Sequence, residues 1–383
     1  MGRPFILKCC LTKSDKSNKS FEISLSLFLC LWYCIGEVGN AMKLITFAIP
    51  SYNSEGYLSH AVDTILSGGD DVEIIIVNDG STDGTAAIAD AYAEKYPHIV
   101  KVVHKENGGH GSGVNCGVER AEGLYFKVVD SDDWVDEKAL QTLLGAIRIH
   151  IAEKNEPDLY ITNFVYDHAE DNTRFVRQFR KQFPVGEHFG WDKAGRFVGS
   201  QLLLMHAVMF KTQIIRDSGT VLPEHTFYVD NLFAFRPLPL CKILFYCDVD
   251  LYHYFIGRAD QSVTVANMTR RYDQQIRVMQ CMYDCYGFEN IKAFEPGLRR
   301  YMLHALGAIS MNTIMFCCSG GDDETRRSAY SAFWKHTLDT DAQLYRYLRT
   351  RSYPAIVLWM PWRLRGHFML AGYKVLCKIN KLG

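Results

Sequence analysis

The chain has 383 residues, 48% of them hydrophobic and 22% charged, with a formal net charge of −1. That length suits one large domain or a domain with an appendage, and the near-zero charge argues against a nucleic-acid partner. The twelve cysteines are scattered without a CxxC pair, and Cys281 and Cys285 have no third or fourth ligand at zinc-like spacing, so reduced thiols in a cytosolic compartment are expected.

Residues 1–20 are polar and contain Lys8, Lys13, Lys16 and Lys19; an apolar run of 13 residues, ISLSLFLCLWYCI (23–35), follows. The outline fits a signal peptide, a short anchor, or a stretch upstream of the true start, with Met42 standing directly before a strand-like run. The third alternative is favoured, because the chemistry below needs cytosolic nucleotides. Residues 1–41 are therefore set apart as a non-core extension.

From Lys43 the pattern alternates strand and helix. KLITFAIP (43–50) is a predicted strand, and EGYLSHAVDTILSG an amphipathic helix with Leu58, Val62, Ile65 and Leu66 on one face. VEIIIVNDG is a continuous apolar strand of the kind buried on both sides of a parallel sheet. A capped helix (STDGTAAIADAYAEKY), a third strand (IVKVVHKE), a glycine-bounded helix, a fourth strand (LYFKVVD) and a long helix complete βαβαβαβα by residue 154. The fold class is α/β: a Rossmann-like, mostly parallel sheet flanked by helices. Further strands are predicted at 158–168, near TRFVRQF, at 200–212 and at 242–256. From about 269 the chain reads as helical. The boundaries are drawn at 42–265 for the catalytic domain and 266–383 for a mainly helical C-terminal region.

Ligands of such sheets sit at the carboxyl ends of the strands, where four polar clusters fall. These are Ser51, Tyr52 and Asn53; the NDGSTD run with Asp79; Lys105, Asn107 and Gly108 ahead of GHGSG; and DSDD, Asp130 to Asp133. Three carboxylates in four positions repel one another, and a hard cation such as Mg²⁺ or Mn²⁺ would relieve that repulsion. In extended geometry Asp130 and Asp132 point to one side of Ser131 and form the candidate metal pair, while Asp133 is the candidate helix cap. The glycine stretch fails the G-x-G-x-x-G pattern in every register and no Walker lysine follows, so a dehydrogenase is unsupported.

In order and spacing, IPSYN, VNDGSTD, NGGHGSGVNCGVERAEGLYF and VVDSDDWVD resemble family 2 glycosyltransferases of the GT-A fold, of bacterial surface-polysaccharide type, densely over about residues 43–140. The resemblance implies inverting transfer of a sugar from a nucleotide-diphosphate donor to a hydroxyl of a saccharide or lipid-linked acceptor. UDP is the favoured nucleotide. It implies that Tyr52 packs on the base, that Asp79 reads it, and that Asp130 and Asp132 form the D-x-D pair at ribose and metal, with Ser131 between them. Many members carry Arg-Asn where this chain has Val114-Asn115, so the cationic contact to the diphosphate falls to Lys105, Lys127 or Arg258. The general base implied downstream is Asp230, with Glu224 or Asp217 as alternatives and a helix cap as the plain structural explanation. YHYFIGRADQSV resembles a segment folding over the donor phosphates through Arg258, Gln261 and Ser262. His206 and Trp134 are candidate acceptor-side residues, each with a core-packing alternative. A nucleotidyltransferase would need a glycine-rich, basic signature where IPSYNSEGYL stands; a non-catalytic sugar- or nucleotide-binding relative would have Asp230 remote from the donor pocket.

The tail from Arg351 to Gly383 mixes Trp359, Trp362, Phe368 and Tyr373 with six cations and no acid. Such a segment suits an anionic membrane surface, the alternative being terminal helices packed on the body. The expected location is the cytoplasm, either free or peripheral on the inner face of the cell membrane.

Overall fold

The computed structural model describes residues 42–169, 173–257, 264–321 and 323–380. Arg258, Gln261 and Ser262, and the 1–41 extension, lie outside the described residues. Strand β1 (Ile45–Ser51) and strand β2 (Val72–Asp79) are buried at every position, which is why their sequences run apolar rather than alternating. Helix α1 (Leu58–Leu66) joins them. Helix α2 (Thr85–Lys95) leads to β3 (Val100–Lys105), and helix α3 (His110–Arg120) to β4 (Tyr125–Val128).

β1, β2, β3 and β4 pair in parallel in the order β3-β2-β1-β4, so the chain reverses its direction of winding between β1 and β4. That reversal opens a crevice at the carboxyl ends of these two strands. Beyond β4 the sheet is mixed, which qualifies the mostly parallel expectation. The two-residue β5 (Trp134–Val135) and helix α4 (Glu137–Glu153) precede β6 (Leu159–His168), β7 (Arg174–Arg177) and β8 (His188–Phe189). Strand β9 (Val208–Lys211) runs antiparallel between β4 and β6, and β10 (Leu244–Ile256) pairs parallel with β6 and antiparallel with β5 and β8. The strand expected at 200–212 is thus shorter, and a 3₁₀ turn, Met205–Ala207, precedes it.

Helix α5 (Thr212–Asp217) and helix α6 (Asp230–Phe235) fill the stretch between β9 and β10. After β10 come α7 (Val265–Arg270), α8 (Tyr272–Cys285), α9 (Phe288–Ala293), α10 (Pro296–Cys318), α11 (Glu324–Thr340), α12 (Ala342–Thr350), α13 (Ala355–Leu358) and α14 (Trp362–Asn380). The mainly helical C-terminal region is as expected. Its spine, α10, is long and apolar enough to cross a membrane, yet 72% of its most apolar window is buried against its neighbours. Among the described residues, most buried apolar side chains from Leu44 to Met369 form one core, with a small separate cluster of Ile75, Val77 and Cys116.

Candidate functional site

The loops after β1 and β4 meet across the crevice, where the Ser54 and Ser131 hydroxyls hydrogen-bond at 2.6 Å. Between them DSDD forms a turn, closed by Asp133 N–H donating to the Asp130 carbonyl at 3.0 Å. The extended geometry assumed for Asp130 and Asp132 is therefore corrected. Asp133 is also no helix cap: Asp136 caps α4 by accepting from Ala139 N–H at 2.8 Å. Asp133 is instead buried, accepting from the Tyr252 hydroxyl at 2.5 Å and the Phe255 amide at 2.9 Å.

Because β9 is antiparallel to β4, its start lies at the carboxyl end of β4. Counting on from the pairing of Tyr125 with Lys211 and Phe126 with Phe210 places His206 opposite Asp130. Donor atoms of Asp130, Asp133 and His206 lie within 4.8 Å of one another. His206 is 6% exposed, its ring packs on Tyr252 and Tyr254 at 4.5 and 4.7 Å, and its Nδ1 has no hydrogen-bond partner. Burial, aided by the charges of Lys127 and His110 and opposed by Asp130, lowers its pKa to about 4, so the imidazole is neutral near pH 7 and open to a ligand. An orphaned, neutral imidazole converging with two carboxylates is a donor set that fits a divalent cation. Asp132 sits half-buried at the tip of the same turn.

The residue that sequence reasoning missed is His110. It opens α3, and its Nε2 meets Asp130 Oδ1 at 2.7 Å. Burial alone would lower its pKa, but Asp130, with Asp230 and Asp132 behind it, raises it. Burial likewise acts to raise the Asp130 pKa, and the His110 partner holds it below the usual carboxylate value. The available signal was a histidine at a helix start within the glycine cluster at the end of β3.

Asp230 lies at the first position of α6, partly open to the crevice. Val229 rather than Asp230 occupies the cap position, and the Asp230 carboxyl accepts from the Asn231 side-chain amide at 3.3 Å and from backbone amides at the helix start. Burial raises its pKa to about 6, with His110 opposing and Asp130 reinforcing. The loop that delivers it is strained and clamped. His225 and Tyr228 hold φ of 47° and 67°, a left-handed conformation costly for residues with a side chain. Asn115 grips Leu222 on both sides, amide to carbonyl and carbonyl from amide, each at 2.9 Å. Asn115 therefore positions the Asp230 loop. Of the alternatives, Glu224 accepts from the Ser112 hydroxyl at 2.9 Å. Asp217 ends α5 beyond the far end of β9, at the opposite edge of the sheet from the crevice.

Asp79 is 3% exposed and anchors the glycine loop: it accepts from Lys105 Nζ at 2.6 Å, Gly108 N–H at 2.9 Å and Gly109 N–H at 2.7 Å. Asn107 adds a bond to the Asp79 carbonyl at 2.8 Å. Lys105 is thus committed to an ion pair, and Asp79 offers a base only its remaining acceptor capacity. Asp79→Ala should cost about 2–4 kcal/mol, because it leaves two amides unpaired and strips the half-buried Lys105 ammonium of its counter-charge, with only the Glu106 carbonyl remaining; denaturant unfolding measures it. Lys127, the other proposed diphosphate contact, is corrected: it is fully buried and donates to the His206 carbonyl at 2.8 Å, and burial lowers its pKa to about 7.

Tyr52 is 53% exposed at the mouth of the crevice, free of packing on one side. Asn53, with φ of 49°, accepts from Thr82 N–H at 2.8 Å and ties the β1 and β2 loops, while buried Ser51 donates to the Ile49 carbonyl at 3.1 Å. Trp134 packs on His60 and His253 with centroids 5.0 and 5.3 Å away. His253 alternates with Tyr252 and Tyr254 along β10, so Trp134 and His206 occupy opposite faces of that strand.

Residues 46–211 match the model of the family Glycosyl transferase family 2. That segment, a little under half of the chain, is similar to the family, and the fold is of the GT-A type. Among its relatives, EpsH of Bacillus subtilis (strain 168), named a glycosyltransferase, is 27% identical over 247 residues, 61% of this chain and 64% of EpsH. The minor teichoic acid biosynthesis protein GgaB of the same strain is 38% identical over 114 residues, 29% of this chain and 12% of GgaB. The chain thus spans less than two thirds of either relative. Residues 1–349 of S. aureus TarS, crystallised with UDP-GlcNAc, superpose with a TM-score of 0.57 at 18% identity, covering 86% of this chain and 92% of that one.

Proposed function

We propose that the chain is an inverting, metal-assisted glycosyltransferase that moves a sugar from a nucleotide-diphosphate donor, UDP in the first instance, to a hydroxyl of a saccharide or lipid-linked acceptor. The observation that carries this reading is the Asp230 carboxyl at the start of α6, raised by burial to a pKa of about 6 and within electrostatic reach of His110 and Asp130. A base so poised is ionised near neutrality and still basic enough to take a proton from a hydroxyl as it attacks. The relatives' names and the UDP-GlcNAc bound by TarS support the donor class, and the teichoic acid role in GgaB's name supports a surface-polymer acceptor.

In this mechanism the exposed ring of Tyr52 packs on the base, and the loop that Asp79 holds lies along the nucleotide. Asp130, Asp133 and His206 would hold the cation, with Asp132 beside them; their imidazole favours Mn²⁺ over Mg²⁺. When bound, that ion supplies Lewis-acid stabilisation of negative charge on the departing diphosphate. His110, its pKa raised by Asp130, can supply positive charge on the same side, which Val114 in place of the arginine many members carry does not. Asp230 takes the acceptor proton, the freed oxygen bonds to the anomeric carbon, and the bond to the diphosphate breaks on the opposite face.

Two outcomes test this. A panel of UDP-sugars with saccharide and lipid-linked acceptors should yield UDP release that depends on acceptor; hydrolysis unaffected by any acceptor would count against transfer. The rate at subsaturating acceptor should fall about tenfold per pH unit below the Asp230 pKa, because the protonated carboxyl cannot act as base; a cation at Asp130 draws that midpoint lower. A flat acid limb would exclude Asp230 as the base.

A further inference from the structure

Helix α14 has two unlike faces. On one, Arg365, Gly366 and Met369 are buried. The Arg365 guanidinium donates to the carbonyls of Val357, Leu358 and Met360 at 3.1, 2.9 and 2.9 Å and to the Tyr330 hydroxyl at 3.0 Å. Gly366 lies so close to the end of α10 that a Cβ there would sit 2.3 Å from the Cys318 carbonyl oxygen. These contacts fix which way the helix is turned.

The face left outward is apolar where a water-facing helix would be polar. Leu364, Phe368 and Val375 are 62%, 50% and 54% exposed. At 3.6 residues per turn they fall within about 40° of one another, with Arg363, His367 and Lys374 along one flank. Trp359, 75% exposed, and Ile356, 56% exposed, stand at the near end. Residues 342–383 contain eight Lys and Arg and no Asp or Glu, although the whole chain is nearly neutral. An apolar strip with a tryptophan at its end and cations beside it matches a bilayer surface bearing negative headgroups. An acidic protein partner would match the charge but not the unbroken apolar strip.

We propose that the α13–α14 surface is a membrane-docking face that takes an anionic lipid bilayer, with Trp359, Leu364, Phe368 and Val375 entering the interface and Arg363 and Lys374 meeting the headgroups. This stands independently of the transfer reaction, and its test does not use activity.

The test is sedimentation of the full chain with vesicles, either phosphatidylcholine alone or equal parts phosphatidylcholine and phosphatidylglycerol. Expected are binding to the anionic vesicles, weak binding to the neutral ones, and a loss of binding as salt rises toward ~0.5 M. The triple variant Trp359→Ser, Leu364→Ser, Phe368→Ser should lower the partition coefficient at least about tenfold, and Arg363→Gln with Lys374→Gln about fivefold per cation. All these side chains are exposed, so thermal unfolding should match the parent; should the triple variant unfold, the charge variant decides. Binding unchanged in the variants would assign the membrane contact to another segment, such as residues 23–35, and overturn the proposal. So would equal binding to neutral vesicles. No vesicle binding, with concentration-dependent self-association that the same variants abolish, would make the face an interface between copies instead.

Discussion

Asp230→Asn is expected to lower kcat by about 10²–10⁴-fold while leaving UDP affinity unchanged, the range general-base removal typically costs. The substitution keeps the size of the side chain at the start of α6, where Val229 holds the cap position. It removes only the capacity to accept a proton. The separation of effects is the point of the experiment: single-turnover rates report the proton transfer, and calorimetry reports the donor pocket. If both fell together, Asp230 would be a positioning residue for the pocket. Glu224, which accepts from Ser112, is the control; Glu224→Gln should retain most of the rate.

Asp130→Asn should act on the other half of the site. It removes one of three converging donors and the partner of His110. Mn²⁺ affinity should drop by at least about ten- to a hundredfold, a loss that even an outer-sphere partner can cause, and electron paramagnetic resonance of free Mn²⁺ reads it without any turnover. The His110 imidazole reports the same change. In the parent its raised pKa is sustained by Asp130 against burial; without Asp130, burial is opposed only by Asp230 and Asp132 and the pKa falls. A proton titration followed by NMR distinguishes the two. An unchanged His110 pKa and unchanged Mn²⁺ binding would dissolve the proposed cation site.

The organisation around the crevice was legible in the sequence because it rests on local signals. β2 is apolar throughout since both its faces are covered, and the polar clusters fall where strands end. Asp230 was singled out only through the resemblance, by its position in the chain. What could not be read were contacts made by distant segments. His206 stands beside Asp130 only because β9 enters antiparallel between β4 and β6, and no periodicity near residue 206 announces that insertion. Asp133 looked like a cap, yet its partners are Tyr252 and Phe255, well over a hundred residues on, while Asp136 meets the ordinary capping rule three positions before Ala139. Lys127 looked available because it interrupts an apolar strand; its hydrogen bonds run to carbonyls around β9 that the local sequence does not reveal. Asp79 was placed correctly at a strand end, but the strength of its tie to the glycine loop needed the turn at Gly109, whose φ is 83°.

The central claim is that the crevice between β1 and β4 takes a nucleotide diphosphate with a divalent cation. Calorimetric titration of the full chain with UDP, with and without Mn²⁺, tests it most directly. The account predicts binding that Mn²⁺ strengthens in the parent and that Mn²⁺ no longer affects in Asp130→Asn. Absence of binding to UDP, GDP, CDP and dTDP alike, with or without the ion, would contradict it and leave the crevice as a degenerate binding site rather than a transferase centre.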